Sequence, residues 1–312
     1  MIKAFDIKDE TLIPIDSSLG QITIYINPTV KEKDDLKYYF GVDDHTIASA
    51  LDPDEISRIE IYENDVWMIW KRPMNYSAKD DFHFNVASIG LFYAKGRVAF
   101  VVPEDISIVT STRKVAKFNK PIDVLLYYLH ENVQHYNEHL KVIKMIARDL
   151  QKKINTSMEN IHLIQMFNLS ESLVHYANAI SSNTVVLTRM RTHADKQSYS
   201  ENIRDSLDIL VIENNQCYKQ SEIYSTVFSG LMDARGTLVN NNMNVLLKNL
   251  TIINIIFMPL NLIAGIGGMS EYSMMTTGMD WRISYGLFGV GMLIIGLVLN
   301  KILTRWSTKE KT

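Results

Sequence analysis

Cysteine is nearly absent from this chain of 312 residues: Cys217 is the only one. A lone thiol cannot close an intrachain disulfide, which fits a reducing compartment. The opening stretch MIKAFDIKDE lacks an apolar run, so no cleavable signal peptide is expected. No glycine occurs between Gly96 and Gly230, and no proline between Pro121 and Pro259. Nothing in that stretch breaks a helix, and the phosphate-cradling pattern G-x-x-x-x-G-K-[ST] is missing from the chain. A basic surplus is missing too. Only five Lys/Arg and three Asp/Glu lie beyond Lys248, so the first 248 residues hold 27 of the 32 basic and 32 of the 35 acidic groups, a net −5. That balance argues against a nucleic-acid partner, which needs a basic footprint.

What the C-terminal part has instead is length without charge. Asn249 to Ser270, NLTIINIIFMPLNLIAGIGGMS, is a run of 22 uncharged residues, and Ile283 to Asn300, ISYGLFGVGMLIIGLVLN, is a second run of 18. As a helix the first spans about 33 Å, enough for a hydrocarbon core of about 30 Å. The sequence therefore predicts a first membrane span over 249–270, a short loop over 271–282, a second span over 283–300 and a tail over 301–312. The tail carries Lys301, Arg305, Lys309 and Lys311, and the positive-inside rule places it in the cytoplasm. Two spans return the chain to its starting side, so residues 1–248 are expected to be cytoplasmic as well.

The first span is unusual. Positions 244, 247, 251, 254, 258, 261, 265 and 268 follow a strict 3–4 spacing and hold Asn, Leu, Thr, Asn, Met, Asn, Gly and Gly. The asparagines and Thr251 thus share one seam while the other faces are largely Ile, Leu and Phe. Two readings remain open from spacing alone. The polar groups either hydrogen-bond between helices or line a water-filled path. A pore would require several copies, because two helices cannot enclose one.

The soluble part divides by periodicity. Apolar or β-rich runs at Ile22–Ile26, Ile59–Tyr62, Val66–Trp70, Phe82–Tyr93 and Val98–Val102 predict strands, with tight turns at Glu63–Asp65 and Ala94–Arg97. Helix-like segments cover 31–40 and 44–50. An α/β domain over 1–120 is expected. A helical hairpin over 121–196 follows: Leu126, Leu129, Val133, Tyr136, Leu140, Ile143, Ala147, Leu150 and Ile154 keep heptad spacing, and a second helix covers 158–191. Ser198-x-x-Glu201 has the capping-box pattern. The helix it starts meets no stop before the glycines at 265–268, so a stalk over 197–248 runs on into the first span, nearly 70 residues in all.

Catalytic constellations are scarce, and an enzyme is not expected. His130, Glu131 and His135 only superficially resemble a zinc-protease helix, because histidines five apart face different ways. His135 and His139, at i and i+4, offer two ligands without a third and read as a solvated helix face. Cys217 has no base beside it and reads as structural.

The run TIINIIFMPLNLIAGIGGMS, with Met258-Pro259-Leu260 and Ala264-Gly265-Ile266, resembles the CorA family of divalent-cation channels. So do FGVDDHTIASALDPDEISRIEIYENDVWMIWKRP and PIDVLLYYLHENVQHY, in the same order along the chain. The resemblance implies an α+β fold, a cytosolic αβα funnel with long stalk helices and two transmembrane helices, assembled as a homopentamer in the inner membrane. It implies a pore lined or gated by Asn244, Leu247, Leu250, Thr251, Asn254, Met258, Asn261 and Gly265. Narrow Leu and Met rings would exclude water, and Asn rings would offer oxygens to a hydrated ion. The family signature Gly-Met-Asn here reads Gly268-Met269-Ser270. A shorter serine side chain widens the ring, so a relaxed preference for Mg²⁺ over Co²⁺, Ni²⁺, Mn²⁺ or Zn²⁺ is expected. Glu271 would concentrate cations at the mouth. Asp205 and Asp208 are candidates for sensing intracellular Mg²⁺. No cofactor is implied beyond the divalent cation, transported and a candidate regulator; the implied partners are the bilayer, divalent ions and further copies of the chain. The alternatives are a ZntB-like proton-coupled Zn²⁺ transporter and a non-conducting two-span scaffold or sensor.

Overall fold

A computed structural model describes residues 1–63, 65–75, 82–106, 117–156, 160–197 and 199–309. The chain divides into two compact units, Met1–Met232 and Asp233–Thr312. In chain order the first unit contains strands β1 (Ile2–Lys8), β2 (Thr11–Ile15) and β3 (Ile22–Ile26), helices α1 (Val30–Phe40) and α2 (Asp44–Leu51), and strands β4 (Arg58–Tyr62), β5 (Asp65–Pro73), β6 (Val86–Ala94) and β7 (Arg97–Val102). Helices α3 (Pro121–Thr156) and α4 (Asn160–Lys196) follow, and then the start of α5 (Glu201–Gly267).

The strands form one sheet in the order β2-β1-β3-β7-β6-β5-β4, antiparallel except for β3 beside β7. Because side chains alternate along a strand, neighbouring residues feed opposite faces. Val98, Phe100 and Val102 of β7 join Ile89 and Leu91 of β6 in a core shared with α3, α4 and α5. Ala99 and Val101 join Phe92 and Ala94 on the other face, against Leu36 and Phe40 of α1 and Ile47 of α2. This is the αβα layering expected from the resemblance. Gly90 lets α2 sit close: a Cβ there would lie 2.7 Å from the Ala50 Cβ.

Local signals set the element ends. Thr29 and Glu32 form a reciprocal capping box at the start of α1, and Gly41, at φ 70°, closes it in the left-handed conformation. Lys95 and Gly96, both at positive φ, make the two-residue turn between β6 and β7. The turn expected around Asn64 and the cap expected at Ser198 fall on positions outside the described residues.

Two expectations need correction. Strands β1 and β2 were not among those predicted. Lys3, Asp6 and Lys8 interrupt the apolar run of β1, and β2 carries Pro14, which only an edge strand tolerates. The run beginning at Phe82 is strand only from Val86. Before it Phe84 is buried against the helices, its N–H donating 3.0 Å to Ser172 Oγ on α4.

The heptad residues of α3 are all buried, from Leu126 to Ile154. Polar side chains fix how the helices meet the sheet. β4 begins at Arg58, opposite Ile69, so Lys71 of β5 lies beyond the pairs that β4 makes. Asn183 of α4, fully buried, takes over that edge. Its Oδ1 accepts from Lys71 N–H at 3.1 Å and from Ser57 Oγ at 2.7 Å, while its Nδ2 donates to the Lys71 carbonyl at 2.8 Å. Tyr136 Oη donates to the same carbonyl at 3.2 Å. Asn214 of α5 donates to Ile180 O and Thr184 Oγ1 of α4.

The histidine pair on α3 is not a solvated face. His139 is buried, its Nδ1 lies 2.6 Å from Tyr176 Oη, and the His135 ring stands edge-on at 4.3 Å. Burial pushes the His139 pKa down to about 4. Tyr176 reaches it from α4, a neighbour that helical spacing along α3 does not reveal. Cys217 is buried, with its thiol directed at the Val133 carbonyl, and burial pushes its pKa up to about 12.

Candidate functional site

Helix α5 is 67 residues long, about 100 Å at 1.5 Å per residue. The second unit contains its C-terminal part, the short α6 (Ser270–Met275) and α7 (Trp281–Lys309). Both α5 and α7 include a stretch long and apolar enough to cross a membrane. Pro259 sits inside α5, where its missing N–H removes one backbone bond.

The two apolar helices meet along one face of each. On α5 the partly covered positions are Ile252, Ile256, Pro259, Leu260 and Ile263, ending at buried Gly267. On α7 they are Ser284, Phe288, Gly291, Met292, Gly296 and Leu299. At about 100° per residue, the Thr251, Asn254, Met258, Asn261, Gly265 seam is centred roughly opposite the α7-facing side. Leu247, Leu250 and Met258 are more than half exposed, and Asn244, Asn254 and Asn261 are exposed too. Thr251 returns its hydroxyl to the Leu247 carbonyl at 2.8 Å. Among the described residues the three asparagine amides make no side-chain hydrogen bond within the protomer. The second span therefore does not serve the seam, and amides at membrane depth require protein or water beside them.

The signature lies in the break between helices. α5 closes at Gly267 rather than Ser270, with Gly268 N–H bonded to the carbonyls of Ala264 and Gly265 and Met269 N–H to that of Ile266. Met269 is extended and serves as N-cap to α6, whose first residue is Ser270. Ser270 Oγ donates to the Glu271 carboxylate at 3.3 Å, and both residues are exposed. The segment expected as a plain loop over 271–282 thus carries a helical turn. Asp280 starts α7 by accepting from Arg282 N–H at 3.0 Å.

Four residues around the signature, Tyr272, Ser284, Tyr285 and Phe288, escaped the sequence reading. Tyr285 Oη donates to the Gly267 carbonyl at 3.4 Å, and a Cβ at 267 would lie 2.5 Å from the Phe288 ring. Tyr272 packs edge-on to Tyr285 and Phe288, with centroids 5.8 and 5.3 Å away. Its hydroxyl lies 3.2 Å from Ser284 Oγ, and Ser284 is buried. The only signal in the sequence was the cluster of aromatics in the first turns of the second apolar run.

The acids named for ion sensing lie in the first unit. Asp205 is exposed. Asp208 is gripped by Arg191 of α4, Nε to Oδ1 at 2.6 Å and Nη2 to Oδ2 at 3.1 Å, and Arg191 also pairs with Asp195. The guanidinium holds the Asp208 carboxyl below its ordinary pKa. Among the described residues no three His, Cys, Asp or Glu converge to hold a metal ion. Arg191 had no signal in the sequence, because it meets Asp208 only once α4 packs on α5.

Residues 23–305 match the CorA-like Mg²⁺ transporter protein family. A cobalt/magnesium transport protein CorA from Methanocaldococcus jannaschii is 24 % identical over 252 residues, 78 % of each chain. The complete structure of a CorA magnesium transporter from that organism superposes with a TM-score of 0.73 at 18 % identity, covering 97 % of this chain and 96 % of the other. A ZntB cytoplasmic domain from Vibrio parahaemolyticus gives 0.59 at 11 % identity, over 78 % of this chain and 98 % of that one.

Proposed function

The chain belongs to the CorA-like Mg²⁺ transporter family, and from that premise we propose that it is a divalent-cation channel whose pore is formed by α5 helices of five copies. The observation that carries this reading is the seam. Asn244, Thr251, Asn254, Met258 and Asn261 line one side of a membrane-length helix, and the second span covers the other side. Five such seams facing one axis would give the amides water and each other, which lipid cannot do. The chain would sit in the inner membrane with both termini in the cytoplasm.

In this reading the membrane potential drives the ion, at about 2.3 kcal/mol per charge for each 100 mV. Five Glu271 carboxylates concentrate cations at the mouth. Ser270 hydroxyls and Gly268 carbonyls meet the hydrated ion, and the Asn261 and Asn254 rings pass it inward. Rings of Met258, Leu250 and Leu247 close by excluding water. Because Ser270 reaches less far than an asparagine would, Mg²⁺ is not strongly preferred over Co²⁺, Ni²⁺, Mn²⁺ or Zn²⁺. Asp205 and Asp208 sense the cytosolic ion, and a metal at Asp208 must compete with Arg191.

Uptake of each ion by the full-length protein in proteoliposomes, at fixed potential with and without a proton gradient, tests this. Potential-driven uptake of several divalent ions is expected. Oligomers that pass no ion overturn it in favour of a scaffold, and uptake that follows the proton gradient at constant potential overturns it in favour of a coupled transporter. A strong preference for Mg²⁺ over all the others removes the relaxed selectivity alone. Asp205→Ala with Asp208→Ala is expected to abolish Mg²⁺-dependent closure; unchanged inhibition rejects these acids as the sensor.

A further inference from the structure

The signature is flanked on both sides by contacts to α7, and Tyr285 and Phe288 take part on both sides. Upstream, the Gly267 carbonyl, one of those a helix leaves unpaired at its end, accepts from Tyr285 Oη, and the Phe288 ring fills the space beside Gly267 where a side chain would stand. Downstream, the Tyr272 ring rests on Tyr285 and Phe288, and its hydroxyl reaches Ser284 Oγ at 3.2 Å and the Ser284 carbonyl at 3.4 Å. Only Gly268 to Glu271 lie between the two anchors. The Ser270 and Glu271 side chains bond to each other, and where the pair stands follows from where Gly267 and Tyr272 are pinned.

We infer that Tyr272 is a positioning residue for ion selection: seated on Ser284, Tyr285 and Phe288, it fixes the spacing of the Ser270 and Glu271 oxygens around the mouth. This rests on the channel reading above. An ion that keeps its water shell is discriminated by where oxygens lie around it, and octahedral Mg²⁺ tolerates misplacement least. A shift of the segment between the anchors moves every copy of the ring together. The aromatic contact and the hydroxyl bond act in parallel. Removing the hydroxyl alone therefore loosens the anchor slightly, and removing the ring releases it. A tyrosine that served only as an interfacial lipid anchor would change the amount of protein in the membrane and leave the order of ions alone.

The experiment compares Tyr272→Ala, Tyr272→Phe and the unaltered full-length chain in proteoliposomes, reading the ratio of Mg²⁺ to Co²⁺ uptake per assembled oligomer. Tyr272→Ala is expected to change that ratio by about fivefold or more, equivalent to roughly 1 kcal/mol between the ions. Tyr272→Phe should stay much closer to the unaltered protein. An unchanged ratio in assembled Tyr272→Ala overturns the inference. If Tyr272→Ala does not assemble, Tyr272→Leu removes the ring and the hydroxyl while keeping apolar bulk, and an unchanged ratio there overturns it equally. A second readout needs no flux. A Ser270→Cys thiol should react several-fold faster with a membrane-impermeant maleimide once Tyr272→Ala is added, while native Cys217 is buried and silent. Equal labelling rates overturn the positioning role. An unaltered protein that passes no ion defeats the channel reading instead, so the two failures are separate.

Discussion

Replacing Asn183 by alanine tests how the helical layer is joined to the sheet. The side chain is fully buried and makes three hydrogen bonds, to Lys71 N–H, the Lys71 carbonyl and Ser57 Oγ. After truncation the carbonyl retains Tyr136 Oη, and Ser57 Oγ retains the Ser182 hydroxyl, 3.0 Å away. Lys71 N–H retains nothing on the β4 side, because the pairing with β4 reaches only to Ile69. One buried donor left unmet costs about 1–3 kcal/mol, and the vacated space adds to it, so a loss of about 2–4 kcal/mol is expected. The direct assay is hydrogen exchange of the Lys71 amide in the full-length protein, with Trp70 fluorescence as a probe of the neighbouring core. A loss of about 2.8 kcal/mol corresponds to roughly a hundredfold faster exchange where opening limits it. Exchange at Lys71 within about threefold of the unaltered protein would refute the claim that this amide stands in for a missing strand.

Other consequences follow from the same geometry. His139 titrates near 4 in the folded protein against an ordinary 6.5. Between those values the unfolded chain binds the extra proton, so stability is full above about pH 6.5 and falls by about 3 kcal/mol as the pH drops towards 4; His139→Gln should flatten this slope in urea titrations at pH 7 and pH 4.5. Gly90→Ala places a Cβ 2.7 Å from both the Ala50 Cβ and the Phe92 ring, and overpacking of that kind should lower the urea midpoint by about 1–3 kcal/mol of stability. Asn261→Leu and Asn254→Leu should leave the oligomer intact, as judged by size-exclusion chromatography. They should cut divalent uptake about tenfold or more, since each ring loses five amide oxygens of order 1 kcal/mol apiece; undiminished uptake would remove those rings from the path.

The long helices and the two apolar spans were legible in the sequence, and so was the buried stripe of α3. The reason is that helix periodicity, end signals and absence of charge are properties of one segment read by itself. The register of β6 with β7 was legible too, because its two-residue turn fixes it. Pairings between distant segments were not. The edge strands β1 and β2 have weak alternation and gain their stability from neighbours. His139 became a core residue only when Tyr176 arrived from α4, and Asp208 acquired its cation only from Arg191 across the α4–α5 turn. At the signature the sequence named Gly268, Met269, Ser270 and Glu271. It could not show that Tyr272, Ser284, Tyr285 and Phe288 pack together beside them, since a contact between residues twelve to twenty-one apart depends on how two helices lie together. The seam of asparagines was written in the 3–4 spacing of α5. That it faces away from α7, and so demands another partner, was decided only by which side of α5 the second span covers.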